Sequence, residues 1–153
     1  MEQFMDRIGD AISPIAQKMT ANRYLSAIKE GFFGSTPILI AGSIFLLFTS
    51  LPFNGYSDWL AANSMINDFF YLPYQVSFKL LSFFVVVGMA RSLANYYKVD
   101  SKLAIALSLA GIFLLTPILV TEDGIKGLPL DNFAAQGLFV CMIATAISVE
   151  IYR

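Results

Sequence analysis

The sequence predicts an all-α, polytopic membrane protein, and three observations lead to this fold class. Apolar residues make up 57% of the 153-residue chain and charged residues only 14%, whereas soluble domains contain about 25% charged residues. Several stretches are long and apolar enough to cross a bilayer, and positive charges collect in alternate connections between them. We expect lipid to be the solvent of most of this chain. The net charge of −1 argues against nucleic-acid binding through a basic surface.

Four transmembrane helices are predicted, because about 20 apolar residues are needed to cross the hydrocarbon core. They cover about 31–51, 71–90, 103–121 and 132–149. Pro37 and Pro117 fall within the first and third spans, where neighbouring groups can satisfy the freed carbonyls. We expect each proline to kink its helix, with a hinge as the sharper alternative.

The orientation follows from the ten Lys and Arg residues of the chain. Eight of them lie before the first span, between the second and third, or after the fourth, and only Lys126 lies between the third and fourth. The positive-inside rule therefore predicts a multi-pass protein of the cell membrane with the N-terminus, the loop around 97–101 and the C-terminus in the cytoplasm. Tyrosines near the predicted span ends fit the aromatic belts of a bilayer interface.

Residues 1–30 form a separate region before the four spans of residues 31–153. The apolar residues of its first part fall on one narrow helical face: Met1, Phe4, Met5, Ile8, Ile12, Ile15 and Met19. This spacing predicts an amphipathic helix along the cytoplasmic interface that also contacts its own protein or a second copy. A plain lipid anchor is the alternative. A second short helix is predicted to begin near Asn22, which can cap it.

Lys79 is the one charge within a predicted span. If the span runs from about 71 to 90, Lys79 lies half-way across, and it needs a partner from other sequence or another subunit. If the helix continues to Tyr97, Lys79 reaches the outer interface instead. Small residues four apart predict close helix packing, and they occur at Gly31/Ser35, Ala104/Ser108, Ala106/Ala110 and Ala144/Ser148.

No catalytic, substrate-binding, cofactor-binding or metal-binding residue is predicted. The chain has no histidine, and the single Cys141 lies in an apolar run, where a cysteine is normally inert packing. No phosphate-binding glycine loop and no Cys-x-x-Cys pair is present. Glu122 and Asp123 are interpreted as a solvated loop. Whether the chain takes part in enzyme chemistry is left open by its residues.

Several stretches nevertheless resemble one family. They are NRYLxAIKxGF at 22–32, PILIxGSIFLL at 37–47, ANYYKVD at 94–100, FLLTP at 113–117, GLFV at 137–140 and VEIYR at 149–153. In this order and spacing they resemble the N-terminal part of enzyme IIC, the membrane permease of the lactose/cellobiose class of the bacterial phosphotransferase system. The resemblance extends over nearly the whole chain.

The resemblance implies a sugar permease whose substrate is phosphorylated by a separate IIB protein, charged in turn by IIA. It also implies a homodimer and a sugar site, with a histidine and a glutamate, in a later half that this sequence lacks. The chain is therefore expected to be a severed portion that carries the dimer-contact half. The alternatives are a complete four-span scaffold or accessory subunit, and an oligomeric channel lined by Lys79.

Overall fold

The computed structural model describes residues 21–120 and 126–153, and these residues are almost entirely helical. The helices are α1 (Arg23–Thr49), α2 (Tyr56–Ala62), α3 (Ser64–Lys79), α4 (Leu81–Tyr97), α5 (Ser101–Leu115) and α6 (Leu138–Tyr152). A small antiparallel hairpin pairs β1 (Leu119–Val120) with β2 (Lys126–Gly127), and 3-10 turns follow at Leu130–Phe133 and Ala135–Gly137. The all-α class is confirmed. Most of the predicted amphipathic region lies outside the described residues.

The predicted cap at Asn22 is confirmed, and one helix follows it without a break. The Asn22 side-chain carbonyl accepts from the backbone N–H groups of Tyr24 at 3.0 Å and Leu25 at 3.4 Å. The predicted short helix and the predicted first span therefore form one helix, α1, about 40 Å long at 1.5 Å per residue. Pro37 lies inside α1 and does not end it.

The predicted second span is broken where continuity was expected. α3 and α4 meet at Leu80 with a bend of 46°, so Lys79 ends one helix and Leu81 begins the next. The break lies near the middle of the predicted span 71–90. The apolar pattern of this stretch continues across the break, which is why the sequence predicted a single helix.

The predicted third span is shorter than its apolar run. α5 ends at Leu115, and Thr116 is already extended because Pro117 disfavours a helical conformation in the residue before it. The chain then enters the β hairpin, so the helical part measures only about 22 Å. The fourth span is confirmed as a helical stretch, at Ala135–Tyr152.

Two described helical stretches are individually long and apolar enough to cross a membrane, namely Arg23–Thr49 and Ala135–Tyr152. The bent pair Ser64–Lys79 and Leu81–Tyr97 makes a third if it counts as one span. The shorter Ser101–Leu115 remains an apolar helix below that length. The count of four spans stays a prediction.

α1 runs along both halves of the bent pair, and glycines allow the closest approach. A Cβ built on Gly88 would lie 2.7 Å from the Gly31 Cα, so the α1 and α4 backbones touch there. Farther along α1, a Cβ on Gly42 would lie 2.5 Å from the Ser77 Cβ of α3. Of the small-residue pairs, Gly31/Ser35 and Ala104/Ser108 are buried as predicted, whereas Ala106 and Ala110 are exposed.

Two parts of the fold can be distinguished. The body consists of the N-terminal half of α1 with α4, α5 and α6, whose buried core includes Val85, Met89, Leu93 and Val149. The arm consists of α1 from residue 37 onward with α2 and α3. Stacked phenylalanines line the contact between α1 and α3 in the arm, with Phe48 and Phe70 ring centroids 5.4 Å apart.

Candidate functional site

Polar groups gather at two places in this apolar molecule, one at each end of the body. In residues 21–120 and 126–153, no three acidic or cysteine side chains come together as metal ligands would. The sequence analysis named no catalytic or sugar-binding residue, so no such residue has to be located. The two polar places therefore define the candidate sites.

The first place is the helix-end cluster, which surrounds the carboxylate of Glu150. The Tyr24 hydroxyl donates to Glu150 Oε1 at 2.5 Å, and the Tyr97 hydroxyl donates to the same oxygen. Arg153 Nε lies 3.0 Å from Oε2, and an Arg23 guanidinium nitrogen lies 3.7 Å from Oε1. The Glu150 side chain keeps only 25% of its accessible surface.

The helix-end cluster joins three helices, because Tyr24 lies in the first turn of α1, Tyr97 ends α4 and Glu150 lies in the last turn of α6. The Arg23 and Arg153 guanidinium carbons lie 5.3 and 4.8 Å from the centre of the Tyr97 ring, within cation–π range. An acidic side chain is unfavourable at a helix C-terminus. Here two hydroxyls and two guanidinium groups compensate for that position.

The sequence analysis missed the helix-end cluster, because it interpreted Tyr97 only as part of an interfacial aromatic belt. A usable signal was present in the closing stretch, where Glu150 follows an uncharged run and has only Arg153 near it in sequence. A carboxylate at the end of an apolar helix needs partners from other helices. The partners themselves lie 53 and 126 residues away.

The second place is the break between α3 and α4. Lys79 Nζ lies 3.3 Å from Asp131 Oδ1, with the two side chains 40% and 72% exposed. Of the two interpretations of Lys79, the one that requires a partner from other sequence or another subunit is wrong, because Asp131 of this chain lies beside it. Asp131 precedes the fourth predicted span and is not at membrane depth in the sequence pattern, but the chain folds the segment before α6 back onto the break.

We name the residues 130–137 the outer segment, and it is bound to the break at a second point. The Ser82 hydroxyl, fully buried in the first turn of α4, donates to the Ala134 carbonyl at 2.7 Å. Phe133 is also buried, with its ring centroid 5.7 Å from that of Phe113 on α5. The outer segment is thus fastened to α4 and α5 at once.

Two open grooves border these polar places. One, of about 310 Å³, lies between α5 and α6 beside the outer segment, with Thr116, Asn132 and Gln136 among mostly apolar neighbours. The other, of about 370 Å³, lies beside the helix-end cluster and is lined by polar residues including Arg23 and Glu30. Both grooves lie open at the surface of the described residues.

The family described as "Phosphotransferase system, EIIC" matches residues 29–153. The chain belongs to the EIIC family of the phosphotransferase system. The resemblance predicted from the sequence is confirmed, and with its apolar helices this EIIC chain is a membrane protein.

Two curated EIIC proteins and one solved structure illustrate the similarity. The chain is 38% identical to the cellobiose-specific EIIC component of Geobacillus stearothermophilus, over 100% of this chain and 36% of that protein. It is 34% identical to the oligo-beta-mannoside-specific EIIC component of Bacillus subtilis (strain 168), over 97% of this chain and 34% of that protein. The crystal structure of ChbC, the IIC component from the N,N'-diacetylchitobiose-specific phosphotransferase system, matches with a TM-score of 0.79 and 36% identity, over 95% of this chain and 36% of that one.

This EIIC chain therefore spans about a third of the length of the relatives it matches. The similarity to ChbC in both sequence and fold extends over 95% of this chain. The bent α3–α4 pair and the short α5 thus belong to a chain whose overall fold has a counterpart in a solved EIIC structure.

Proposed function

We propose that the chain is the N-terminal part of a sugar-specific permease, enzyme IIC, that takes up a cellobiose- or lactose-type oligosaccharide coupled to its phosphorylation. The observation that carries this proposal is the agreement of both sequence and fold with an EIIC transporter of which this chain covers 36%. Residues 1–30 form the cytoplasmic or interfacial region, and residues 31–153 begin the permease domain with four spans. The partners of the complete permease are IIB and IIA, which deliver the phosphate.

We further propose that this part of the permease contributes the dimer contact and lacks the sugar site. The absence of histidine from the sequence supports this division, because the resemblance places a functional histidine in the later half. Large apolar side chains are exposed on the arm, including Leu47 (65%), Met65 (84%) and Phe69 (66%). Lipid, a second copy and further permease helices are the surroundings that suit such a surface.

The proposed orientation places both ends of the chain in the cytoplasm. Contact between Tyr24 and Glu150 puts the start of α1 at the same level as the end of α6, and Tyr97 brings the end of α4 to that level. The three segments that the positive-inside rule assigns to the cytoplasm thus meet in one cluster. This meeting supports an even number of crossings between the start of α1 and the end of α6.

Sugar uptake tests the proposal. In a host without its own cellobiose uptake but supplied with IIA and IIB, we expect no accumulation of phosphorylated cellobiose from the 153-residue chain alone. We expect accumulation when the natural reading frame is read past the Arg153 codon. The control is the same extended gene with residues 31–153 deleted in frame, which should be inactive.

The intact mass of the natural product provides the contradicting outcome. A mass equal to 153 residues, with no permease sequence following the Arg153 codon, contradicts the proposal that this chain is the N-terminal part of a longer permease. That result favours an accessory membrane subunit, and cross-linking in the membrane then identifies its partner. Tight cellobiose binding by the isolated chain would contradict the claim that the sugar site lies elsewhere.

A further inference from the structure

The bend between α3 and α4 has no proline or glycine at the residues where it occurs. Sharp helix kinks normally occur at proline, at Gly/Ser pairs, at π-bulges or where a foreign group inserts. The break lies in the sequence Phe78-Lys79-Leu80-Leu81-Ser82, whose Lys and Leu residues are good helix formers. Pro73 lies seven residues earlier, inside α3, and does not end that helix. The Ser77 hydroxyl donates to the Pro73 carbonyl at 2.8 Å, but both residues lie inside α3, which continues to Lys79. The 46° bend at Leu80 therefore needs contacts with other parts of the chain to hold it.

The outer segment binds the two sides of the break separately. Asp131 pairs with Lys79, the last residue of α3, at 3.3 Å. Ala134 accepts from Ser82, in the first turn of α4, at 2.7 Å. One contact thus lies just before Leu80 and the other just after it. A continuous helix through Leu80 would rotate and shift these two groups relative to each other, so both contacts suit the bent form.

The outer segment is itself tightly folded. A Cβ built on Gly137 would lie only 1.7 Å from the Asn132 carbonyl oxygen, so the 3-10 turns close on themselves in a way that requires glycine there. Phe133 is 3% exposed and anchors the segment on α5. A segment anchored in this way can oppose the tendency of α3 and α4 to become one helix.

We propose that the outer segment is a clasp that holds the second span bent, and that its release allows residues 64–97 to form one straight helix. The ion pair between exposed groups is the weaker contact. The buried Ser82 hydroxyl is the stronger one, because its loss leaves the Ala134 carbonyl without this donor. Release rotates α3 relative to α4, and a 46° rotation about Leu80 displaces residue 68 by about 14 Å.

Spin-label distances in the whole natural protein, reconstituted in nanodiscs, test the clasp. Labels are placed at Asp68→Cys on α3 and Leu114→Cys at the exposed end of α5, with Cys141 and any further native cysteine of the whole protein replaced by alanine. The unmodified clasp should give one distance population. Ser82→Ala combined with Asp131→Asn should add a second population shifted by up to about 14 Å. Ser82→Thr, which keeps the hydroxyl, should behave like the parent.

Two controls separate release of the clasp from general loss of structure. A label pair at Asn95→Cys and Leu114→Cys lies within the body and should keep its distance in every variant. Asp131→Lys alone should show the second population, and adding Lys79→Asp should restore the parent distribution.

The competing cause of the bend is packing of α3 on α1 at Gly42. If the Ser82→Ala/Asp131→Asn variant keeps the parent distribution while Gly42→Leu changes it, the bend is set by that packing. The clasp is then overturned. If Asp131→Lys combined with Lys79→Asp does not restore the parent distance distribution, the ion pair does not have the role proposed for it.

Discussion

At the residue scale, Glu150 has more bonding partners than any other carboxylate among the described side chains. Glu150→Gln keeps the shape of the side chain but loses its charge, so the two guanidinium groups lose their counter-ion. We expect a loss of stability, seen as a lower unfolding temperature, because hydrogen bonds that involve charged groups stabilise a fold more than neutral ones do. Thermal unfolding of the detergent-solubilised chain measures this loss.

Glu30→Gln is the matched control for Glu150. It removes a carboxylate from an exposed position of α1 near the same end of the body, where a surface charge contributes about 0–1 kcal/mol. Tyr97→Phe should fall between the two, because it removes one donor and leaves the charge. If Glu150→Gln unfolds at the same temperature as Glu30→Gln, the helix-end cluster does not stabilise the fold.

At the residue scale, replacing glycine by alanine is expected to lower stability at one position and raise it at another. Gly88→Ala places a methyl group 2.7 Å from the Gly31 Cα, and overpacking of this kind costs about 1–3 kcal/mol. Gly34→Ala meets nothing within 4 Å and should stabilise α1 by about 0.5–1 kcal/mol, since alanine loses less backbone entropy. Denaturant unfolding of both variants measures the difference, and an equal response would contradict the backbone contact of α1 with α4.

At the element scale, the end of a helix was predictable where its cause is local. Asn22 caps α1 through its own side chain, as predicted, and Pro117 restricts the residue directly before it. The third span was nevertheless predicted to continue through Pro117 to residue 121, because the apolar run continues there. Both signals lie within a few residues of the helix end they set. By contrast, the break at Leu80 depends on Asp131 and Ala134, about fifty residues later. No pattern in residues 71–90 records that distant contact, so a continuous span was the wrong prediction there.

The cap of α1 gives a prediction at the same scale. Asn22→Ala removes the acceptor of two backbone N–H groups. The loss of such a cap lowers helix stability by about 1 kcal/mol. We expect amide exchange at Tyr24 and Leu25 to become about fivefold faster, while exchange in the middle of α1 stays the same. Asn22→Asp retains a capping oxygen and serves as the control. Unchanged exchange at Tyr24 and Leu25 in Asn22→Ala would show that the helix-end cluster, and not the cap, protects this turn.

At the scale of the whole molecule, the charge pattern and the helix packing constrain orientation independently. The Lys and Arg distribution assigns the loop around Lys98 to the cytoplasm, and the helix-end cluster brings Tyr24, Tyr97 and Glu150 to one level. The turn around Gly55, between α1 and α2, follows the opposite end of α1. If α1 crosses the membrane once, the Lys98 loop and the Gly55 turn must face opposite compartments.

Labelling of single cysteines in intact cells measures this orientation. On the Cys141→Ala background, Asn54→Cys beside the Gly55 turn should react with a membrane-impermeant maleimide, because that turn is proposed to lie outside. Lys98→Cys should react only after the cells are opened, since it follows the end of α4 on the cytoplasmic side. Both positions are exposed, so a lack of reaction reports the compartment and not burial. Labelling of Lys98→Cys in intact cells, with protection of Asn54→Cys, would reverse the proposed orientation. It would also place the helix-end cluster, with its two arginines, on the outer face, against the charge pattern from which the orientation was predicted.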